Sequence, residues 1–426
     1  MAEMNRVFTM ETVPLKFGWG ALDEIGHDLA ALGLRRVLLL TDPGVAAAGH
    51  AERVAERART CGVEVVVWDG VRSEPTDASW REAIAFAREG AWDGFIGLGG
   101  GSAIDTAKAV NLYTTHPADL MAYINRPLGD GRPVPGPLKP LVAIPTTAGT
   151  GSETTSVAVL DLLERKVKTG VSHRHLRPRL AVVDPQTTLT LPPAVTASCG
   201  LDVLCHALES YTSLPYDRRP APADPAQRPA YVGANPVSDL WAAEAIRLGA
   251  RWLARAYHEP GDREARTRLM LAATYAGMGF GNAGVHLPHA MSYPIAGLVR
   301  GFRPRGWPGE GPLVPHGISV ALGTPASFRH LGPHAPERTR EALRHLGGDA
   351  GAVAPEEAGA ALAEWMTALL RELELPNGLA EVGYTAADIP ALVEGTLAQQ
   401  RLLVNAPVAV DAALLEAVFR DSLRLW

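Results

Sequence analysis

Short, nearly continuous apolar runs alternate with amphipathic stretches through the first half of the chain. The runs are residues 37–41 (VLLLT), 63–68 (VEVVVW), 95–98 (FIGL), 141–144 (LVAI) and 180–184 (LAVVD). Between them, residues 45–60, 78–88 and 102–112 carry apolar side chains at helical spacing. Strands apolar on both faces and divided by helices predict an α/β arrangement, a parallel sheet covered on each side. Residues 159–161 and 166–171, broken by LER at 163–165, predict a hairpin. Beyond Pro193 strand signals nearly vanish, and Ala-, Leu-, Glu- and Arg-rich segments of helical period run to the C-terminus. The pattern predicts an α/β domain over 1–187 and an all-helical domain over 188–426. Two irregular stretches interrupt the helical half: 214–236, rich in Pro and Arg, and 300–315, rich in Gly, Pro and Arg. Loops this long in a compact domain are usually functional or disordered.

Composition narrows the possible classes. A chain of 426 residues exceeds what one hydrophobic core usually serves, in keeping with two domains. With 47% hydrophobic and 20% charged residues it is ordinary globular material. A net charge of −6 argues against a nucleic-acid partner. Cys61, Cys199 and Cys205 form no CxxC pair, so neither a disulfide framework nor a thiolate zinc site is suggested, and a reducing compartment fits. No basic-then-apolar leader is evident, and no run of about eighteen apolar residues could span a bilayer. These features predict a soluble, cytoplasmic protein with neither a nucleic-acid nor a membrane partner.

The candidate chemistry lies at the ends of the strands and in the helical half. GLGGGSAIDTAK (97–108) follows a strand and opens a helix, which suits a phosphate cradled by backbone N–H groups. A tight turn with Ser102 as its helix cap would read the same way. Asp42, at the end of the first strand, could take ribose hydroxyls or merely cap an Asp-Pro-Gly turn. IPTTAGTGSETT (144–155) follows another strand and is dense in hydroxyls, which suits diphosphate or nicotinamide contacts. Lys168, in the hairpin, could reach a phosphate or ribose, or sit in solvent. In GLDVLCHALESY (200–211), Asp202 and His206 stand four apart on one helix face. A carboxylate and an imidazole so placed are half of a divalent metal site, or a hydrogen-bonded surface pair. Two His-bearing turns downstream, VHLPHAMSYP (285–294) and VPHG (314–317), favour the metal.

GGGS..D.AK, PTTAGTGSE, the Asp…His…Glu helix and the paired His turns together resemble the iron-containing (group III) alcohol dehydrogenases. Within that family the resemblance is to its hydroxyacid–oxoacid transhydrogenase subgroup, and it runs along nearly the whole chain. It implies a Rossmann-like dinucleotide-binding domain, a helical domain and a cleft between them. It also implies NAD or NADP together with a divalent ion, Fe²⁺ or Zn²⁺. Cofactor contacts fall on Asp42, Gly99, Gly100, Gly101, Ser102, Asp105, Thr146, Thr147, Thr150 and Lys168. Asp202, His206, His289 and His316 match the family's four ligand positions. His286 could face the same way as His289; the resemblance favours His289, from the HAM of HAMSY, and leaves His286 to a supporting or substrate contact. Many members carry a His where this chain has Tyr293, so proton transfer falls to Tyr293 or to water.

The subgroup implies 4-hydroxybutyrate as hydride donor and 2-oxoglutarate as acceptor, exchanged over a retained cofactor. The alternative is an alcohol dehydrogenase that releases its cofactor at each turnover. Each acid needs a cation or a nest of N–H groups for its remote carboxylate. Arg218, Arg219, Arg228, Arg303 and Arg305, from the two irregular stretches, are candidates, though each also reads as a solvated loop residue. A homo-oligomer is the default for a soluble enzyme.

Overall fold

The computed structural model describes residues 4–165, 167–225 and 228–426. The chain divides into two compact units, residues 12–190 and residues 4–11 with 191–426.

The first unit is built on β1 (Leu15–Phe17), β2 (Arg36–Leu40), β3 (Glu64–Trp68), β4 (Gly94–Gly99), β5 (Leu141–Pro145) and β8 (Leu180–Val183), with β6 (Val157–Leu162) and β7 (Val167–Ser172) between β5 and β8 in the chain. The six-stranded sheet has the order β1-β8-β5-β4-β2-β3, and its strands pair in parallel. Both faces are covered along β2, β4, β5 and β8, as the apolar runs predict, while the edge strand β3 stays partly exposed. Leu38, Leu40 and Phe95 enter one core with Trp80 and Tyr113. Val37, Leu39, Ile96 and Leu98 enter the other with Leu29 and Val54. Alternate side chains of one strand thus serve opposite cores. The hairpin is β6 against β7, antiparallel, with Val157 opposite Ser172. Residue 166, where the pattern starts the second hairpin strand, lies outside the described residues. The edge strand β1 is only three residues long and carries no pattern to read.

The first unit also holds α1 (Ile25–Ala31), α2 (Pro43–Ala47), α3 (His50–Thr60), α4 (Asp77–Arg88), α5 (Gly101–Thr115) and α6 (Leu120–Tyr123). The single helix expected over 45–60 is therefore two. Gly49, at φ 83°, separates them, a left-handed conformation that ends α2 and that glycine adopts without strain.

The chain runs from β2 outward to β3, then crosses back to place β4 on the other side of β2. That reversal makes a crevice outside the C-terminal ends of β2 and β4, where open α/β sheets bind ligands. Asp42 follows β2, and the glycine turn follows β4.

The second unit is helical: α7 (Pro193–Thr212), α8 (Pro236–His258), α9 (Arg263–Ala283), α10 (Leu287–Gly297), α11 (His316–Leu331), α12 (Pro336–His345), α13 (Ala358–Glu372), α14 (Ile389–Leu397), α15 (Gln400–Leu403) and α16 (Ala412–Ser422). Among its described residues no helix is long and apolar enough to cross a membrane. Helix α7 is buried nearly all round, from Gly200 to Ser210. Residues 4–11 belong with this unit rather than with the α/β unit: Asn5 N donates to Arg219 O at 2.8 Å, and Glu11 N to Asn282 Oδ1 at 2.9 Å. Such partners lie more than two hundred residues away, so no local pattern records them.

Candidate metal centre and cofactor site

Asp202 and His206 come from the middle of α7, His289 from the first turn of α10, and His316 opens α11. One donor atom from each of the four lies within 4.8 Å of all the others. From Asp202 Oδ1 the distances are 3.5 Å to His206 Nδ1, 3.5 Å to His289 Nε2 and 3.7 Å to His316 Nε2. Gly317 makes this convergence possible. A Cβ there would stand 1.9 Å from the carbonyl oxygen of Ser198, one turn before Asp202. Only a residue without a side chain lets the start of α11 press so closely onto α7.

Three of the donor atoms, Asp202 Oδ1, His206 Nδ1 and His289 Nε2, are buried without a hydrogen-bond partner. Buried polar atoms are normally satisfied, and leaving several unpaired in one place costs several kcal/mol. Their spacing suits ligands around one cation: bonds of about 2.1 Å in a tetrahedral set put neighbouring donors about 3.4 Å apart. Charge points the same way. Asp202 and Glu209 are both buried in the cluster and bring two negative charges, which a divalent cation would balance. The residues present therefore fit a divalent metal with mixed N and O donors.

The surroundings hold these side chains in place. The His206 ring stacks on Phe280 at 3.9 Å and on His289 at 4.4 Å between centroids. Burial brings the His206 pKa down to about 3, so the imidazole is neutral and able to donate its lone pair at neutral pH. Glu209, wholly buried, accepts from His289 Nδ1 at 2.5 Å and from the His286 backbone N–H at 2.6 Å. The first bond leaves His289 Nε2 turned toward Asp202, the carboxylate–imidazole support usual behind a metal ligand. Burial alone would lower the His289 pKa, but the Glu209 and Asp202 carboxylates outweigh it and raise it to about 10, so this position favours positive charge. Glu209 was legible as the third polar residue on the Asp202–His206 helix face, seven and three positions further along.

His286 stands apart from the four. Its side chain is fully buried, its Nε2 bonds Thr212 Oγ1 at 3.0 Å, and burial brings its pKa down to about 4. A substrate contact does not fit this placement; a supporting one, through its main chain to Glu209, does. Tyr293 is close by, with its ring centroid 6.4 Å from that of His316, and its hydroxyl accepts from Arg401 Nη2 at 2.9 Å.

The arginines of the irregular stretches are mostly engaged in structure. Arg219 donates to Leu214 O and Asn405 Oδ1, and Arg228 to Asn5 Oδ1 and Val7 O. Arg303 folds back on the carbonyls of Pro308, Glu310 and Gly311 in its own loop. Arg218 and Arg305 are exposed.

At the crevice of the α/β unit, the glycine turn and the hydroxyl-rich loop pack together. Gly99 has φ 148°, and a Cβ on it would stand 2.7 Å from Ala103 Cβ. A Cβ on Gly101 would meet Thr150 Cγ2 at 2.8 Å, whereas one on Gly100 would clear Thr147 at 3.4 Å. Thr146 N bonds Gly99 O at 2.9 Å. Two of the three glycines are thus required by packing of the protein on itself. Ser102 is not the helix cap; Gly100 holds that position, and Ser102 Oγ accepts from Glu74 N at 3.2 Å. Asp42 does cap α2: its Oδ1 accepts from Gly44 N and Val45 N, each at 3.0 Å. Its Oδ2 is turned toward Gly99, where a Cβ would lie 3.4 Å away.

Two expected cofactor contacts turn inward instead. Asp105 accepts from Ser152 Oγ at 2.5 Å and from Val159 N at 2.9 Å. Beside it, wholly buried Lys108 donates to Ser152 Oγ and Val157 O, both at 2.7 Å, and to Thr155 Oγ1 at 3.2 Å. Lys168 is ion-paired to Glu74 at 2.5 Å and to Asp161 at 3.1 Å. Buried charges satisfy one another, and both residues are held by protein partners here.

A parallel sheet with a glycine turn at its switch point, followed by a helical unit carrying a buried Asp–His cluster, is the make-up of a metal-dependent dehydrogenase. The chain belongs to the iron-containing alcohol dehydrogenase family: the model "Iron-containing alcohol dehydrogenase" matches residues 14–185, and "Fe-containing alcohol dehydrogenase family, C-terminal" matches residues 230–423. It is an oxidoreductase. Over 421 residues it is 47% identical to the mitochondrial hydroxyacid-oxoacid transhydrogenase of Bos taurus, covering 98% of this chain and 90% of that one. Its fold is similar to that of a 1,3-propanediol oxidoreductase, with a TM-score of 0.85 and 29% identity over 98% of this chain and 100% of the other. It is also similar to the sulfoacetaldehyde reductase of Bifidobacterium kashiwanohense solved with NAD⁺, with a TM-score of 0.80 and 26% identity over 97% and 98% of the two chains.

The cytoplasmic expectation is overturned here, because the bovine relative is mitochondrial. Composition and the cysteine pattern do not tell one compartment from another.

Proposed function

We propose that the protein transfers hydride between a hydroxy acid and an oxo acid, using a divalent metal and a nicotinamide cofactor that stays bound. The observation that carries the reading is the set of four converging donor atoms, three of them buried and unpaired. The bovine relative's name supplies the substrate class. Asp202, His206, His289 and His316 are the proposed ligands, for Fe²⁺ or Zn²⁺. When bound, the ion supplies Lewis-acid polarisation of the reacting oxygen. Glu209 orients His289. Tyr293 accepts from Arg401, which leaves its O–H group to donate to substrate. We assign the dinucleotide to the β2/β4 crevice, with Gly99–Ser102 and Thr146–Thr150 around its phosphates and Asp42 Oδ2 toward its ribose.

The test is an assay with 4-hydroxybutyrate and 2-oxoglutarate after extensive dialysis, with and without added NAD⁺. Turnover is expected without added cofactor and without accumulation of free NADH. Strict dependence on added NAD⁺, with NADH building up, would instead identify a dehydrogenase that releases its cofactor.

Cofactor choice gives a second expectation. A carboxylate accepts ribose hydroxyls and repels a 2′-phosphate, so the protein prefers NAD⁺ to NADP⁺. Asp42→Gly narrows that preference by roughly tenfold, one charged contact being worth about 1.5 kcal/mol. Titration of both cofactors into wild type and variant measures it, and equal wild-type affinities would remove the role from Asp42.

A further inference from the structure

A hydroxy acid of the proposed class carries its charge several bonds from the reacting carbon. In a four-carbon acid, hydroxyl and carboxylate are about 5 Å apart. A cation near the Asp–His cluster but outside it would meet that charge. Of the arginines in the irregular stretches, Arg228 and Arg303 already hold protein atoms, Arg218 and Arg305 are exposed, and Arg219, held by Leu214 O and Asn405 Oδ1, keeps a buried, unpaired Nη2.

Arg401, in α15, is such a cation. Its Nη2 donates to Tyr293 Oη at 2.9 Å, and the Tyr293 ring lies 6.4 Å from the His316 ring. Its other partner is the hydroxyl of Tyr231. Tyr231 belongs to the first irregular stretch, which reaches the same turn twice more: Leu214 N donates to Asn405 O at 2.8 Å, and Arg219 Nη1 to Asn405 Oδ1 at 2.9 Å. That stretch thus brings a phenol, Tyr231, to Arg401.

The partners of Arg401 are the second observation. The side chain is partly buried, yet among the described residues no carboxylate lies within ion-pair distance of it. Arginine is rarely taken from water without a counter-charge. Its planar fork has five N–H donors and matches a carboxylate two bonds at a time, and two phenols leave most of that capacity unused. We infer that Arg401, flanked by Tyr231 and Tyr293, binds the carboxylate of the hydroxy-acid substrate that is remote from the reacting carbon. The inference rests on the proposed function and names the residue that selects acids over alcohols.

The experiment compares kcat/KM for 4-hydroxybutyrate and for 1-butanol in the holoenzyme and in Arg401→Met, Arg401→Lys and Arg303→Met. It also measures the Kd of butyrate, a non-reacting carboxylate, by calorimetry. Arg401→Met is expected to reduce the acid-to-alcohol ratio about 10- to 100-fold, chiefly through KM, and to weaken butyrate by a similar factor. Arg401→Lys, which keeps the charge, recovers part of both losses. Arg303→Met leaves the ratio as in wild type. An unchanged ratio and butyrate Kd in Arg401→Met would overturn the assignment, as would an equal fall for both substrates with butyrate binding intact. A wild type that prefers 1-butanol would instead overturn the hydroxy-acid reading itself.

Discussion

His289→Ala is expected to strip the protein of its divalent metal and to lower turnover by about three powers of ten, whereas His286→Ala keeps the metal. The two residues are three apart, and their spacing alone does not separate them, but the structure gives them different neighbours. His289 Nε2 is buried, unpaired and 3.5 Å from Asp202 Oδ1. His286 Nε2 is already bonded to Thr212, 3.0 Å away. His286 helps the cluster through its backbone N–H, which holds Glu209 at 2.6 Å, and alanine retains that group. Loss of a Lewis acid removes several kcal/mol of transition-state stabilisation, and each 1.36 kcal/mol is tenfold in rate. Elemental analysis of the purified variants decides the matter: metal lost from His286→Ala and kept by His289→Ala would exchange their roles. Glu209→Gln, which keeps the shape but not the charge behind His289, weakens metal binding by about 10- to 100-fold.

The second large effect concerns stability of the α/β unit. Lys108→Met is expected to cost about 3–5 kcal/mol, because it leaves a buried carboxylate without its cation. Lys108 is wholly buried, and burial lowers its pKa against the pull of Asp105, 3.4 Å away. Through Ser152 and Thr155 it ties the hydroxyl-rich loop, and through Val157 the start of β6, to α5, the helix that the glycine turn opens. Thermal unfolding of the variant should therefore come roughly 10 °C early, and its NAD⁺ affinity should fall with it. The double change Asp105→Asn/Lys108→Met should recover part of the loss, since no charge is then stranded. Unfolding of Lys108→Met at the wild-type temperature would mean that the network does not hold the loop.

Much of the architecture is legible in local pattern. Apolar runs on both faces, divided by helical periods, specify a covered parallel sheet, because each element records in its own residues which faces it must bury. Asp202, His206 and Glu209 share a helix face by spacing alone. The glycines after β4 mark a close approach of backbone, although it is Ala103 and Thr150, as much as any ligand, that require two of them.

Tertiary structure decided the rest, and for a common reason: a side chain's partner in space leaves no mark on its neighbours in sequence. Residues 4–11 pack with the helical unit through bonds to Arg219 and Asn282. Lys168 faces Glu74, 94 positions away, and so is held as half of an ion pair. Arg401 sits in an unremarkable QRLL turn, and only the fold brings it to Tyr293, 108 positions earlier in the chain. Periodicity determined which face of each element turns inward. Which buried charges meet one another, and which donor atoms are left facing a common point, depended on packing between helices that the sequence keeps far apart.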